Sequence, residues 1–185
     1  MIEFKIYGSE TSDILKGIEA QLGIVPNVFA VLGGNEQALE AFATLNGLFA
    51  QSDLSAIERE IVQTAASVSN ACSYCVAGHT AFAQMQNLDG AEIAAVRSGA
   101  PIKDPKRQAL RLFVQAVVST RGSDASQELR DLLAAGYSKN QVFDVVLGIT
   151  VKMFSNQVVG VTGLALDDAF SVFQWSAAEN AAQAA

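Results

Sequence analysis

Ser55-Ala56-Ile57-Glu58-Arg59-Glu60-Ile61-Val62-Gln63-Thr64-Ala65-Ala66-Ser67-Val68-Ser69-Asn70-Ala71-Cys72-Ser73-Tyr74-Cys75-Val76-Ala77-Gly78-His79 holds both cysteines and the only histidine of the chain. Ser55 followed three positions later by Glu58 has the form of a capping box, which opens a helix expected to run to about Ser69. Asn70-Ala71 interrupts it, and a second helix is expected from near Cys72 to about Gln86. On that helix Cys72, Cys75 and His79 stand at i, i+3 and i+7 and share one face.

The same helical spacing continues on both sides. Ile14, Leu15, Ile18 and Leu22 make one amphipathic stripe; Leu39, Phe42, Leu45, Leu48 and Phe49 make another. Pro26 starts a short helix through Val31, and Gly33-Gly34-Asn35 breaks the chain after it. Further helices are expected over 90–97, 105–121 and 126–135, closed by Gly99, Gly122 and Gly136. Ser138 and Gln141 form a second capping box, whose helix is expected to reach about Ser155. A last helix is expected over 166–178, and the Ala-rich tail 181–185 is expected to fray. No strand alternation competes with this pattern. The expectation is an all-α bundle of about eight to ten helices, forming one domain over residues 1–185 with its core motif region at about 36–121.

The 185 residues are enough to bury a core without disulfide staples. The net charge of −7, with 19 acidic against 12 basic residues and no Lys/Arg-rich run, argues against nucleic acid or an anionic membrane as partner. Met1 to Lys5 lacks the basic-then-apolar pattern of a signal peptide, and polar residues interrupt every long apolar run. A cytoplasmic, reducing location follows as an expectation. There a closely spaced cysteine pair is catalytic or metal-binding more often than structural. Half the residues are hydrophobic in a protein of short helices, so a homo-oligomer is expected.

Two thiols at this spacing can pass between dithiol and disulfide. At a helix N-terminus they face unsatisfied backbone N–H groups and the positive end of the dipole, which favour thiolate. Two rival readings compete. The cysteines could pack as small hydrophobes, or Cys-x2-Cys-x3-His could ligate a metal, although structural zinc takes a second pair of ligands that this chain lacks. Glu58 and Glu60 flank opposite sides of the Ile57, Ile61 and Val68 stripe, so periodicity does not choose which carboxylate serves the histidine. The ten phenylalanines read as core, and Trp175 as a core or interface anchor.

The string Glu60-x11-Cys72-x2-Cys75-x3-His79 resembles the motif of the AhpD-like alkylhydroperoxidases of the carboxymuconolactone decarboxylase superfamily. Leu54 to Val62 is similar to that family's lead-in helix. Leu22 to Phe29, and Ser155-Asn156 with Leu166 to Phe170, resemble its peroxidase-related branch. The resemblance implies an AhpD-like fold and a thiol peroxidase acting on hydrogen peroxide or organic hydroperoxides. It implies that Cys75 attacks the peroxide, that Cys72 resolves the sulfenic acid and donates a proton, and that His79 and Glu60 form a proton relay. A dithiol, thioredoxin-like or lipoyl reductant is the implied partner and a trimer or hexamer the implied assembly, with no cofactor and no metal. Tyr74 stands where better-studied relatives carry a second histidine. Alternatives from other classes are a decarboxylase-like lyase using His79 and Glu60 without the thiols, and a non-catalytic redox sensor.

Overall fold

In the computed structural model, which describes residues 2–178, nine α-helices follow one another. They are α1 (Asp13–Leu22), α2 (Asn27–Ala30), α3 (Glu36–Ala50), α4 (Ala56–Ser69), α5 (Ser73–Met85), α6 (Gly90–Ser98), α7 (Pro105–Thr120), α8 (Ser126–Ala134) and α9 (Lys139–Thr162). Short 3-10 turns at Ser9–Thr11, Val31–Gly34 and Asp168–Phe173 complete the regular structure, and no strand occurs among the described residues. The all-α expectation holds. The expected fraying of 181–185 lies outside the described residues.

Helix α4 is the axis, with α5, α6, α7 and α9 packed around it. Its burial is not the stripe that periodicity suggests. Ile57 and Val68 are half-buried, whereas Glu60, Ile61, Val62, Gln63, Thr64, Ala65, Ala66 and Ser67 are all buried. A helix surrounded on several sides buries most of its circumference, so its polar residues go inside as well. Such groups need partners. Ser67 Oγ donates to Gln63 O at 2.8 Å, and Gln63 Nε2 reaches Gly148 O on α9 at 3.4 Å.

Close approach of α9 depends on Gly148. A Cβ there would lie 2.5 Å from the ring of Phe49 and 2.9 Å from Val62 Cγ1. Beside this contact, Phe42 stacks between Phe29 and Phe154, with ring centroids 4.7 and 5.3 Å away. Aromatic pairs in this range add about 0.5–1.5 kcal/mol to what burial alone contributes.

Helix ends follow their local chemistry. At the head of α4, Ser55 N donates to Glu58 Oε2 at 2.8 Å. At the head of α9, Ser138 N donates to Gln141 Oε1 at 2.9 Å and Gln141 N to Ser138 Oγ at 3.1 Å. Helix α9 does not stop at Ser155. It runs to Thr162 and ends on Gly163, a left-handed cap at φ 62°. It is the one helix among the described residues long and apolar enough to cross a membrane. Val145, Gly148, Ile149, Val151, Lys152 and Ser155 on it are buried in the bundle.

The expected last helix over 166–178 is not formed as such. A 3-10 turn occurs at Asp168–Phe173, the chain through Trp175 is non-helical, and helix resumes only at Ala177. Tertiary contacts explain this. The Arg97 guanidinium donates to Phe173 O at 3.1 Å and Gln174 O at 3.0 Å, taking carbonyls that a continuing helix would use. Trp175 Nε1 returns a hydrogen bond to Arg97 O at 2.9 Å. Phe170 is buried edge-on against Phe82 and Tyr74 of α5.

Candidate functional site

The site lies where α4, α5 and α9 meet. Ala71, at φ 53°, turns the chain sharply after α4, and Cys72 N bonds back to Ser67 O at 2.9 Å. Cys72 thereby becomes the N-cap of α5, and Cys75 falls in its first turn. Both are free thiols, with 8% and 3% of their surface exposed. His79 follows on the next turn.

The open choice between the two glutamates is decided by packing. His79 Nδ1 lies 2.8 Å from Glu60 Oε2, and Gln86 Nε2 donates to Glu60 Oε1 at 2.9 Å. Glu58 faces away. It accepts from Ser55 and, at 2.7 Å, from the Tyr137 hydroxyl, with Lys106 Nζ at 3.9 Å. Burial raises its pKa, but the hydrogen bonds of Ser55 and Tyr137 and the charge of Lys106 more than offset this, so it titrates below its ordinary value.

Lys152 of α9 escaped the sequence reading. It is 5% exposed, and its Nζ lies 2.6 Å from His79 Nε2. A signal was available: Lys152 is the only charged residue between Asp144 and Asp167. Its ammonium acts on both cysteines and on Glu60. Next to it, Ser155 Oγ donates to the Lys152 carbonyl at 3.0 Å. Asn70 Nδ2 donates to Asn156 Oδ1 at 2.8 Å. The Asn156 side chain also favours the Cys75 thiolate.

The electrostatics separate the two thiols. A hydrogen bond from Cys72 lowers the pKa of Cys75 most; burial opposes it, and Lys152, Asn156 and Ser155 lower it further, to about 6. Cys72 moves the opposite way, raised first by that same hydrogen bond and then by burial. His79 is held below its ordinary pKa by burial and by Lys152, against the pull of Glu60. Lys152 is lowered by burial, against the pull of Cys75, Cys72 and Glu60.

The hydrogen bonds of Tyr74 lead away from this network. Its hydroxyl donates to Asp167 Oδ2 at 2.5 Å and accepts from Val28 N at 3.1 Å, while Asp167 Oδ1 accepts from Asn27 N at 3.0 Å. The residue beside Cys75 thus fastens the segments at 27–28 and 167 over the cysteine helix. No group of three or more His, Cys, Asp or Glu side chains suited to a metal ion occurs among the described residues.

Fold and site define an all-α, AhpD-like protein with a Cys-x2-Cys-x3-His centre backed by a carboxylate. Residues 36–116 match the carboxymuconolactone decarboxylase family. Similar solved structures include an uncharacterized peroxidase-related protein with an AhpD core from Ralstonia eutropha JMP134, at 22% identity and TM-score 0.76, covering 89% of this chain and 88% of that one. An uncharacterized peroxidase-related protein from Silicibacter sp. TM1040 has 21% identity and TM-score 0.76, over 87% and 86% of the two chains. The debrominase Bmp8, solved with 2,3,4-tribromopyrrole, has 17% identity and TM-score 0.77 over 89% of each chain. At these identities the likeness shows the fold. No curated protein matches the sequence.

Proposed function

We propose that this protein is a thiol-dependent peroxidase that reduces hydrogen peroxide or small organic hydroperoxides through the Cys72/Cys75 couple. The observation that carries the reading is the placement of two free thiols at the head of α5, Cys72 at its cap and Cys75 in its first turn, where Cys75 is held below its ordinary pKa and Cys72 above. A nucleophilic thiolate and a resolving thiol are what the chemistry requires. The Cys75 thiolate attacks the terminal oxygen of ROOH. The O–O bond breaks, Cys75 becomes the sulfenic acid, and RO⁻ leaves and takes up a proton. The Cys72 thiol then displaces water from Cys75–SOH, closing the disulfide. An external dithiol returns two electrons and two protons. Glu60 and His79 serve as the proton relay.

Reduced protein is expected to consume cumene hydroperoxide through many turnovers in the presence of a dithiol. Cys75→Ser should abolish this. Unchanged consumption in Cys75→Ser would sink the reading, and a single oxidation per molecule without turnover would identify a redox sensor instead.

A further inference from the structure

Both ring nitrogens of His79 are engaged. Nδ1 meets Glu60 Oε2 at 2.8 Å and Nε2 meets Lys152 Nζ at 2.6 Å. A neutral imidazole has one N–H and one lone pair. Glu60, a carboxylate, can only accept, so it takes the N–H; Lys152, an ammonium, can only donate, so it fills the lone pair. No ring nitrogen remains for a cysteine sulfur or a bound peroxide. Lys152 keeps two further N–H groups, and it couples directly to both Cys75 and Cys72.

We propose that Lys152 is a catalytic acid–base residue through which Glu60 and His79 act at Cys75, holding the thiolate and passing protons at the sulfur end of the relay. The proposal rests on the peroxidase reading for its chemistry. As the Cys75 thiolate attacks ROOH, the leaving RO⁻ takes a proton from Lys152 Nζ, giving ROH and a neutral amine. That amine next accepts the Cys72 thiol proton as Cys72 attacks the sulfenic acid, and hands it to the departing hydroxide, so water leaves. Lys152 ends the oxidation neutral. It regains its proton when the external dithiol reduces the disulfide. Burial, which lowers the pKa of Lys152, makes such proton release easier. The groups that face it are the Cys72 and Cys75 thiols and the His79 imidazole from α5 and the Glu60 carboxylate from α4, with Ser155 and Asn156 neutral on its own helix.

The test does not need peroxide. Reduced full-length protein is alkylated with iodoacetamide across a pH series, and modification of Cys75 is read by peptide mass. Lys152→Met is expected to raise the pH midpoint of Cys75 alkylation by about one unit or more, the usual effect of removing a close opposite charge. Lys152→Arg should restore a low midpoint, and His79→Asn, which leaves the ammonium in place, should shift it less than Lys152→Met. An unchanged midpoint in Lys152→Met, or a shift in His79→Asn as large as that in Lys152→Met, would overturn the proposal. Should Lys152→Met not fold, Lys152→Gln takes its place in the same comparison. Peroxide turnover is assayed separately. A wild-type protein without turnover would defeat the peroxidase reading, while the alkylation midpoints still decide the role of Lys152.

Discussion

Glu60 Oε2 lies 2.8 Å from His79 Nδ1, joining α4 to α5, while Glu58 only two residues earlier bonds to Tyr137 on the opposite side of the helix. Two residues span about 200° of an α-helix, so the pair cannot serve one site. Their substitutions should therefore separate. Glu60→Gln should cut peroxide turnover of the folded protein by about a hundredfold or more, the scale of a lost acid–base group. Glu58→Gln should cost about 1–3 kcal/mol of stability, since it removes acceptors for Ser55 and Tyr137, and leave turnover of the folded protein intact. Thermal denaturation and steady-state kinetics on the two variants check this.

Between about pH 6 and 9 the reduced protein should become more stable as pH rises. Folded-state pKa values of Cys75, His79 and Lys152 all lie below their ordinary values. The unfolded chain then binds more protons than the folded one, so stability increases with pH. For Cys75 the contribution is absent below its folded value of about 6, grows between there and the ordinary 9.0, and is complete above that. Melting temperatures of wild type and Cys75→Ser over this range should diverge upward for wild type. Equal slopes would contradict the assignment of the low pKa to Cys75.

Tyr74→Phe should loosen the chain segments over the cysteine helix without quenching the thiol. It leaves Val28 N and one oxygen of Asp167 without their partner. The expected cost is about 1–3 kcal/mol. Amide hydrogen exchange around 27–30 and 166–173 should accelerate, and Cys75 alkylation should keep its pH midpoint.

Gly148→Ala should destabilise the bundle by about 1–3 kcal/mol, because the added methyl meets the Phe49 ring and Val62 across a close α9 contact. Gly78→Ala serves as the control. A Cβ there would sit 3.5 Å from Phe170, ordinary contact distance, and should be tolerated. Urea denaturation midpoints compare the two.

The sequence by itself determined the helical pattern, most helix starts and stops, and the shared face of Cys72, Cys75 and His79. Each of these depends on residues within one or two turns: a capping serine, a left-handed glycine, a spacing of three and four. Tertiary structure decided the rest. Periodicity left Glu58 and Glu60 equivalent until the positions of α5 and Tyr137 around α4 set them apart. Lys152 looked like one charge in an apolar helix until α9 placed its ammonium against His79. The last helix gave way to a 3-10 turn because Arg97, far away in the chain, takes its carbonyls. Local spacing tells which side of a helix a residue occupies, but the partner across from it depends on packing between elements distant in sequence. For that reason the thiols, His79 and, through the family resemblance, Glu60 were legible in the chain, whereas the Lys152 ammonium against His79 was legible only in the fold.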